Sequence, residues 1–279
     1  MRKSGWNPEN GLLYETVDDQ TKLKHTVDAF CRPKKCFHMH STFEICVVAS
    51  GHVTVECSTR CAEMHAPYVV VYRPNLPHRV HVSYDEGAYD RYVFTCNDAL
   101  LQNMIRWVPA VQTLFSHAFF AFMLTPAQFA QTRQLLERAE SLFLQNRREA
   151  SYLLISAALE ELTTVLPEAD VRAAYGSGEL DETVRYLLAH ISEKLEIADV
   201  AAHFYISESK LVKDFRAAYG LPFHQFVMQL RVKRAREMLA QGASGVTVWR
   251  ACGFASHSHF INVFRQYVGQ SPGQYNGSE

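Results

Sequence analysis

Three histidines and a glutamate near the start of the chain have the residue types and the spacing of a metal site. His38 and His40 are two residues apart, Glu44 follows four residues later, and His78 lies in a later segment. Because side chains at even offsets share one face of a strand, we expect His38, His40 and Glu44 to point the same way. Imidazole nitrogens and a carboxylate form a ligand set for iron, manganese, nickel or zinc. The alternative is that these groups line a ligand pocket or form hydrogen bonds within the fold.

The segment that must position these side chains, residues 27–96, is rich in β-branched and aromatic residues. Runs at 44–48, 52–56 and 68–72 predict strands, and turn residues separate them. Short strands with frequent turns are typical of an antiparallel barrel or sandwich. Six of the seven cysteines also lie in the first hundred residues. We interpret them as reduced, apolar core residues, with a zinc half-site or redox pair at Cys57 and Cys61 as the alternative.

Beyond residue 98 the apolar period becomes helical. Residues 127–144 and 152–166 predict two amphipathic helices, which either pack on the barrel or pair with a second copy of the chain. A polar break containing Gly176 and Gly178 follows, and everything after it has the pattern of helices. The sequence therefore predicts one domain at 1–166, a linker at 167–179 and a second domain at 180–279.

The second domain contains two helix-turn-helix patterns, at about 195–220 and 246–269. In each pattern a short helix and a turn lead to a serine, Ser207 or Ser256, that can cap a second helix. Apolar residues four apart face inward from each second helix, and polar residues face outward, as in a helix that lies in the DNA major groove. The predicted DNA contacts are these outward residues: Ser209, Lys210, Val212, Lys213, Arg216, His257, Ser258, His259, Asn262 and Arg265.

A long apolar-striped helix at 222–239 separates the two patterns. Its length of about 27 Å suits a spacer between two helices that read neighbouring major grooves, about 34 Å apart. Charge supports a nucleic-acid contact in this region: residues 205–270 contain nine Lys or Arg and three Asp or Glu, whereas the whole chain of 279 residues has a net charge of −1. We found no signal peptide and no apolar run long enough for a membrane span, so we expect a cytoplasmic protein.

Three stretches of the second domain resemble the DNA-binding domain of AraC-type regulators. They lie at 197–211, at 230–239 and along a series that includes Gly253–Phe254, Phe264–Arg265 and Ser271–Pro272. The resemblance implies a transcription regulator, more often an activator, that binds double-stranded promoter DNA and contacts RNA polymerase. Carried over residue by residue, the family's reading positions are Ser209, Val212 and Lys213 in the first unit and Ser258, His259 and Asn262 in the second.

The N-terminal domain is similar to the cupin-like sensor domain of the same family. His38, His40, Glu44 and Gly51 match the first cupin motif from its first histidine onward, and Pro74 and His78 resemble the second. The resemblance implies an effector pocket, for which we predict the residues Tyr14, Phe37, His38, His40, Arg73, His78 and Tyr92. Aromatic and polar groups of this sort suit a sugar or another small metabolite, and also a core with no ligand. In AraC-type sensors similar histidines usually hold no catalytic metal.

We therefore expect an α+β multidomain protein, with a cupin-like antiparallel β-barrel and appended helices before an all-α domain with two helix-turn-helix motifs. The leading interpretation is a DNA-binding regulator, not an enzyme, that is controlled by a small molecule and forms a homodimer. Under this interpretation we expect the protein to have no catalytic residues and to require no cofactor. The alternative is a cupin metalloprotein fused to a DNA-binding module, with a divalent metal on His38, His40, Glu44 and His78. A third hypothesis is control by a protein partner or by the regulator's own abundance.

Overall fold

The computed structural model describes residues 12–17, 21–28, 38–57, 60–83, 87–175 and 181–275. The chain divides into an N-terminal unit that ends at Ser177 and a C-terminal unit that begins at Gly178 and also includes His38 and Met39. Among the described residues, no helix combines the length and the apolar character that crossing a membrane requires.

Ten strands in the described part of the N-terminal unit form two antiparallel sheets. One sheet has the order β1-β2-β8-β3-β6-β9-β10, and the other has the order β5-β4-β7. The strands predicted from the sequence are confirmed as β3, β4 and β6. In chain order the strands are β1 Leu12–Val17, β2 Thr21–Asp28, β3 Phe43–Ser50, β4 His52–Cys57, β5 Arg60–His65, β6 Tyr68–Tyr72, β7 His78–Ser83, β8 Tyr89–Cys96, β9 Phe119–Met123 and β10 Val171–Tyr175.

The two faces of the seven-stranded sheet differ in character. Ile45 and Val47 of β3 belong to an apolar core shared with the helices of this unit. Glu44 alternates with them and lies opposite Tyr72 of β6 on the other face. Because the Tyr72 ring stacks on His78 of the three-stranded sheet, with centroids 4.0 Å apart, this second face points toward the other sheet.

Three α-helices pack on the apolar face: α1 Asp98–Trp107, α2 Pro126–Leu144 and α3 Arg148–Val165. Thr125 and Gln128 form a reciprocal capping box that starts α2. The two predicted amphipathic helices are therefore confirmed, and both contribute to the core of their own unit. Residues 171–175, which the sequence placed in a linker, form β10 and pair with β9.

Six α-helices form the described part of the C-terminal unit: α4 Asp181–Ala189, α5 Ile197–His203, α6 Glu208–Tyr219, α7 Phe223–Ala240, α8 Gly245–Ala251 and α9 His257–Val268. The pairs α5–α6 and α8–α9 are the two predicted helix-turn-helix units. Their cores use the predicted apolar positions, since Leu211 and Phe215 of α6 and Phe260 and Phe264 of α9 are fully buried.

Candidate nucleic-acid interface and effector site

Helix α6 presents an exposed polar face beside its capped N-terminus. The Ser207 hydroxyl accepts a hydrogen bond from the backbone N–H of Lys210 at 3.2 Å, which fixes the start of the helix. All five residues predicted here as DNA contacts are exposed: Ser209, Lys210, Val212, Lys213 and Arg216. Lys210 forms an ion pair with Asp214 one turn later, with 2.6 Å between Nζ and Oδ2. The ammonium of Lys210 is therefore partly neutralised on the protein, whereas Lys213 and Arg216 leave their charge on the outer face.

Helix α9 has the same construction with different chemistry. The Ser256 hydroxyl accepts a hydrogen bond from the backbone N–H of His259 at 3.1 Å. The five predicted contact residues are again exposed: His257, Ser258, His259, Asn262 and Arg265. The amide of Asn262 can bond two atoms of an adenine edge, whereas the imidazole of His259 can donate to guanine or phosphate.

The turns of the two helix-turn-helix units share one backbone geometry. Ile206 N–H donates to the carbonyl of Ala201, and Phe254 N–H donates to the carbonyl of Trp249, both at 3.0 Å. Just before these donors, Tyr205 has a φ of 55° and Gly253 a φ of 73°, so both turns pass through the left-handed region. The second unit requires glycine there, because a Cβ on Gly253 would lie 2.3 Å from the carbonyl oxygen of Ile191.

The N-terminal unit brings together three of the four residues predicted as a metal set. His40 Nε2 lies 3.2 Å from one carboxylate oxygen of Glu44, and His78 Nε2 lies 4.0 Å from the other. Nδ1 of buried His78 is 2.9 Å from the carbonyl of Leu76, so this nitrogen is the donor and Nε2 faces Glu44. His38 is grouped with the C-terminal unit, so the cluster within the N-terminal unit consists of His40, Glu44 and His78.

The expected placement of His38, His40 and Glu44 on one strand face is wrong. Strand β3 begins at Phe43, after both histidines. Glu44 is on the strand, but His40 reaches it from the preceding turn segment, where its carbonyl accepts a hydrogen bond from Asn75 N–H at 2.6 Å. The bend at residues 41–42 therefore joins His40 to Glu44, and strand periodicity does not.

The same inner face carries a group of polar side chains that the sequence analysis missed. Arg91 of β8 forms an ion pair with Asp28 of β2 at 2.6 Å, and its guanidinium lies 4.2 Å from the ring centroid of Tyr89. Burial raises the pKa of Tyr89 to about 12 and that of Cys46, beside Glu44, well above its usual range. The tyrosine and the thiol therefore stay protonated near neutral pH. Period-two alternation along β8 predicts such a face, but only the strand register shows that it is shared with Glu44.

One predicted pocket residue, Tyr92, lies on the apolar face of the sheet, and Arg73 lies near an apolar-core ring. Tyr92 pairs with Val47 on the apolar face, and its hydroxyl donates to Glu137 of α2 at 3.3 Å. The guanidinium of Arg73 lies 6.0 Å from the ring centroid of Phe43, which also belongs to the apolar core. Tyr92 therefore lies on the opposite side of the sheet from Glu44, because adjacent strand positions face opposite sides of a sheet. The place of Arg73 in an effector pocket stays a prediction. The side chain of Tyr14 and all of Phe37 lie outside the described residues.

Comparison with known protein families identifies the N-terminal and C-terminal units. Residues 32–163 match the model of the AraC-like ligand binding domain, and residues 200–278 match a helix-turn-helix domain. The chain belongs to the AraC-type regulators. This AraC-type regulator is accordingly a DNA-binding transcriptional regulator with a ligand-binding domain.

Two curated relatives and one solved structure are similar to this chain over different shares of its length. The regulator is 25% identical over 248 residues to the uncharacterized HTH-type transcriptional regulator YfiF of Bacillus subtilis, covering 85% of this chain and 77% of YfiF. It is 27% identical to the transcriptional activator RhaS of Escherichia fergusonii, covering 51% of this chain and 52% of RhaS. ToxT of Vibrio cholerae bound to an unsaturated fatty acid has the same fold, with a TM-score of 0.62, 12% identity and coverage of 93% of this chain and 95% of ToxT.

Proposed function

We propose that this regulator activates transcription by laying α6 and α9 of one chain in two successive major-groove segments of a promoter. The observation that carries the proposal is the pair of capped helices with exposed polar faces in one C-terminal unit, separated by the 18-residue helix α7. At about 1.5 Å per residue α7 spans about 27 Å, which suits a spacer between adjacent grooves.

The test is a footprint on DNA upstream of the regulator's own and neighbouring genes, across a salt series. We expect two protected major-groove segments about one helical turn apart, weakened by Lys213→Ala or Asn262→Ala. Lys194→Ala is the matched control, because Lys194 is exposed outside the reading helices. Equal binding to all DNA, with only the phosphate-type salt dependence and no response to effector, would overturn the proposal.

Activation itself is a separate part of the proposal. RhaS, a relative over about half its length, is named as an activator, and an activator at a promoter contacts RNA polymerase in the cytoplasm. Purified protein added to RNA polymerase and the footprinted promoter is expected to increase transcript yield. A decrease in transcript would make the protein a repressor.

The effector is proposed to be a small polar molecule, such as a sugar, bound between the two sheets of the N-terminal unit. Hydroxyl, carboxylate, imidazole and guanidinium groups line the inner face, which suits a polyhydroxylated ligand. A fatty acid of the kind bound by ToxT is the competing class. Its carboxylate would have to displace Asp28 from Arg91, because these two side chains already form an ion pair.

Calorimetric titration with sugars and with unsaturated fatty acids separates these classes. Tyr72→Phe and Tyr89→Phe remove inner-face hydroxyls while keeping the rings, so we expect sugar binding to weaken by about tenfold, as for a lost hydrogen bond of about 1.4 kcal/mol. Tyr186→Phe in the C-terminal unit is the control. Binding of fatty acids alone, or equal binding by all three variants, contradicts the sugar proposal.

A divalent metal on His40, Glu44 and His78 is a second candidate for the same interior. The bond from His78 Nδ1 to Leu76 supports it, since metal-binding histidines usually donate their second nitrogen to a carbonyl or carboxylate. A metal there would supply a positive charge that orients an anionic or hydroxyl ligand. Elemental analysis of purified protein is expected to show one equivalent of metal fewer per chain in His40→Ala than in His81→Ala; equal metal content in the two variants would contradict this candidate.

Homodimer formation is proposed for the N-terminal unit. Leu153 on the outer face of α3 is 53% exposed and is one of the large apolar side chains of the described residues that remain open to a second chain. Sedimentation is expected to show a dimer that dissociates more readily in Leu153→Glu than in the neighbouring surface variant Glu149→Gln. A monomer at all concentrations would contradict the proposal.

A further inference from the structure

The outer face of the three-stranded sheet carries another group of metal-ligating side chains. His52 of β4 pairs directly with His65 of β5, and Thr54 pairs with Glu63. The two imidazole rings are stacked with their centroids 4.0 Å apart, and His52 Nε2 lies 2.9 Å from Glu63 Oε1. One ligand atom from each of His52, Glu63 and His65 lies within 4.8 Å of the other two.

Strand alternation separates this cluster from the interior. Val53 follows His52, Met64 lies between Glu63 and His65, and both are fully buried. The three ligating residues therefore point to the opposite face. His78 is buried on the inner side of the same sheet, so the outer cluster is distinct from His40, Glu44 and His78.

We propose that His52, Glu63 and His65 bind one divalent transition-metal ion of the zinc, nickel or copper class. Two imidazole nitrogens favour these metals over calcium and magnesium, which prefer oxygen ligands. Ligands about 2.0–2.2 Å from a tetrahedral zinc lie about 3.3–3.6 Å from one another. The 2.9 Å distance between His52 Nε2 and Glu63 Oε1 is already close to this spacing. The side chain of Glu63 is 68% exposed, so its carboxylate can move to a metal-binding distance. Three protein ligands leave a coordination position for water.

The third strand does not contribute to this site. Arg79 Nε and His81 Nε2 each lie 3.0 Å from the carboxylate of Glu56, which lies on the outer face of β4. The hydrogen bond from Arg79 is the main cause of a lowered pKa at Glu56, so that carboxylate stays ionised and paired. His81 is consequently a matched control: it is a histidine on the same face of the same sheet, but it is engaged with Glu56.

The experiment uses the full-length His40→Ala protein, so that the inner cluster is disrupted, after removal of metal with a chelator. Zinc is titrated against a chromophoric competitor, and Co²⁺ absorption reports the ligand geometry. We expect one zinc per chain, with affinity reduced about tenfold or more by His65→Ala or Glu63→Gln and unchanged by His81→Ala. Cys61→Ser is also expected to leave affinity unchanged, because Cys61 is an exposed thiol on β5 that is not among the three ligands.

Two results would overturn the proposal. One is the absence of stoichiometric zinc binding in the His40→Ala protein. The other is zinc binding that is equally sensitive to His81→Ala and His65→Ala, which indicates nonspecific capture by surface histidines. Far-ultraviolet circular dichroism of each variant checks that the sheet is intact, as expected for substitutions at exposed positions such as His65 and Glu63.

Discussion

Arg231 of α7 donates a hydrogen bond from its guanidinium to the main-chain carbonyl of Glu193, 2.6 Å away. The side chain is buried, and burial lowers the pKa of the guanidinium. Glu193 lies in the loop between α4 and α5, and Ile191 of the same loop approaches Gly253 in the second helix-turn-helix turn. This loop thus contacts both the spacer helix α7 and the second helix-turn-helix unit. It therefore helps to fix the position of the second helix-turn-helix unit relative to the first.

Replacing Arg231 with methionine is expected to destabilise the protein by about 1–3 kcal/mol, because it leaves the carbonyl of Glu193 without its guanidinium donor. Urea unfolding followed by circular dichroism measures the effect. Arg234→Ala is the control on the same helix, since Arg234 is half exposed and its loss should change stability by less than about 0.5 kcal/mol. Equal stability of the two variants would show that the buried contact has no net stabilising effect.

Gly253→Ala is expected to be much more disruptive than Gly242→Ala. Both residues have a positive φ, of 73° and 87°, so each alanine carries a backbone cost of about 1–2 kcal/mol. Only at Gly253 does the new Cβ meet a backbone atom, 2.3 Å away, whereas at Gly242 no atom lies within 4 Å. Thermal unfolding and the footprint should therefore both be impaired in Gly253→Ala, and comparable unfolding temperatures would contradict the close contact.

Asn262→Ala and Lys213→Ala are expected to weaken DNA binding in different ways. Loss of the amide should cost about 1–3 kcal/mol on the cognate site and relax the base preference at one position. Loss of Lys213 should weaken binding to all sequences alike if its ammonium contacts phosphate, and reduce the salt slope by about one. Binding curves on the operator and on single-base variants at several salt concentrations distinguish the two. A uniform loss in both variants would remove Asn262 from the base-reading set.

Alkaline pH is expected to destabilise the N-terminal unit through Cys96. Burial, with a smaller contribution from Asp98, raises the pKa of this thiol from 9.0 to about 12. The protonated thiol favours the folded state, so its contribution is complete below pH 9 and is lost as pH rises toward 12. Between pH 8 and 10.5 the free energy of unfolding should fall by about 2 kcal/mol more in the wild type than in Cys96→Ala.

The readout for Cys96 is the difference in pH slope, since the cavity left by alanine lowers stability at both pH values. Cys61→Ser is the control, because Cys61 is a thiol on the exposed surface of the same unit. Parallel pH profiles for wild type and Cys96→Ala would contradict the burial effect.

The helix-turn-helix units could be predicted from the sequence because their determinants are local. The hydroxyls of Ser207 and Ser256 each accept a hydrogen bond from the backbone N–H three residues later and so cap the helix that follows. Apolar residues four apart define the inner face of each helix. Capping and helical periodicity operate within a few turns of chain, so they are visible in the order of residues. The left-handed turn at Tyr205 was not predictable, since a non-glycine residue takes that conformation only where its surroundings impose it.

The N-terminal site depended on pairings that no local pattern contains. The sequence by itself determined that β3, β4 and β6 are strands and that His40, Glu44 and His78 are candidates for one cluster. Only the tertiary structure decided that Tyr92 faces α2, that Arg91 pairs with Asp28 from another strand, and that His52 meets His65. The physical reason is register: a shift of one residue between neighbouring strands exchanges the two faces of a sheet, and that register is set by long-range packing.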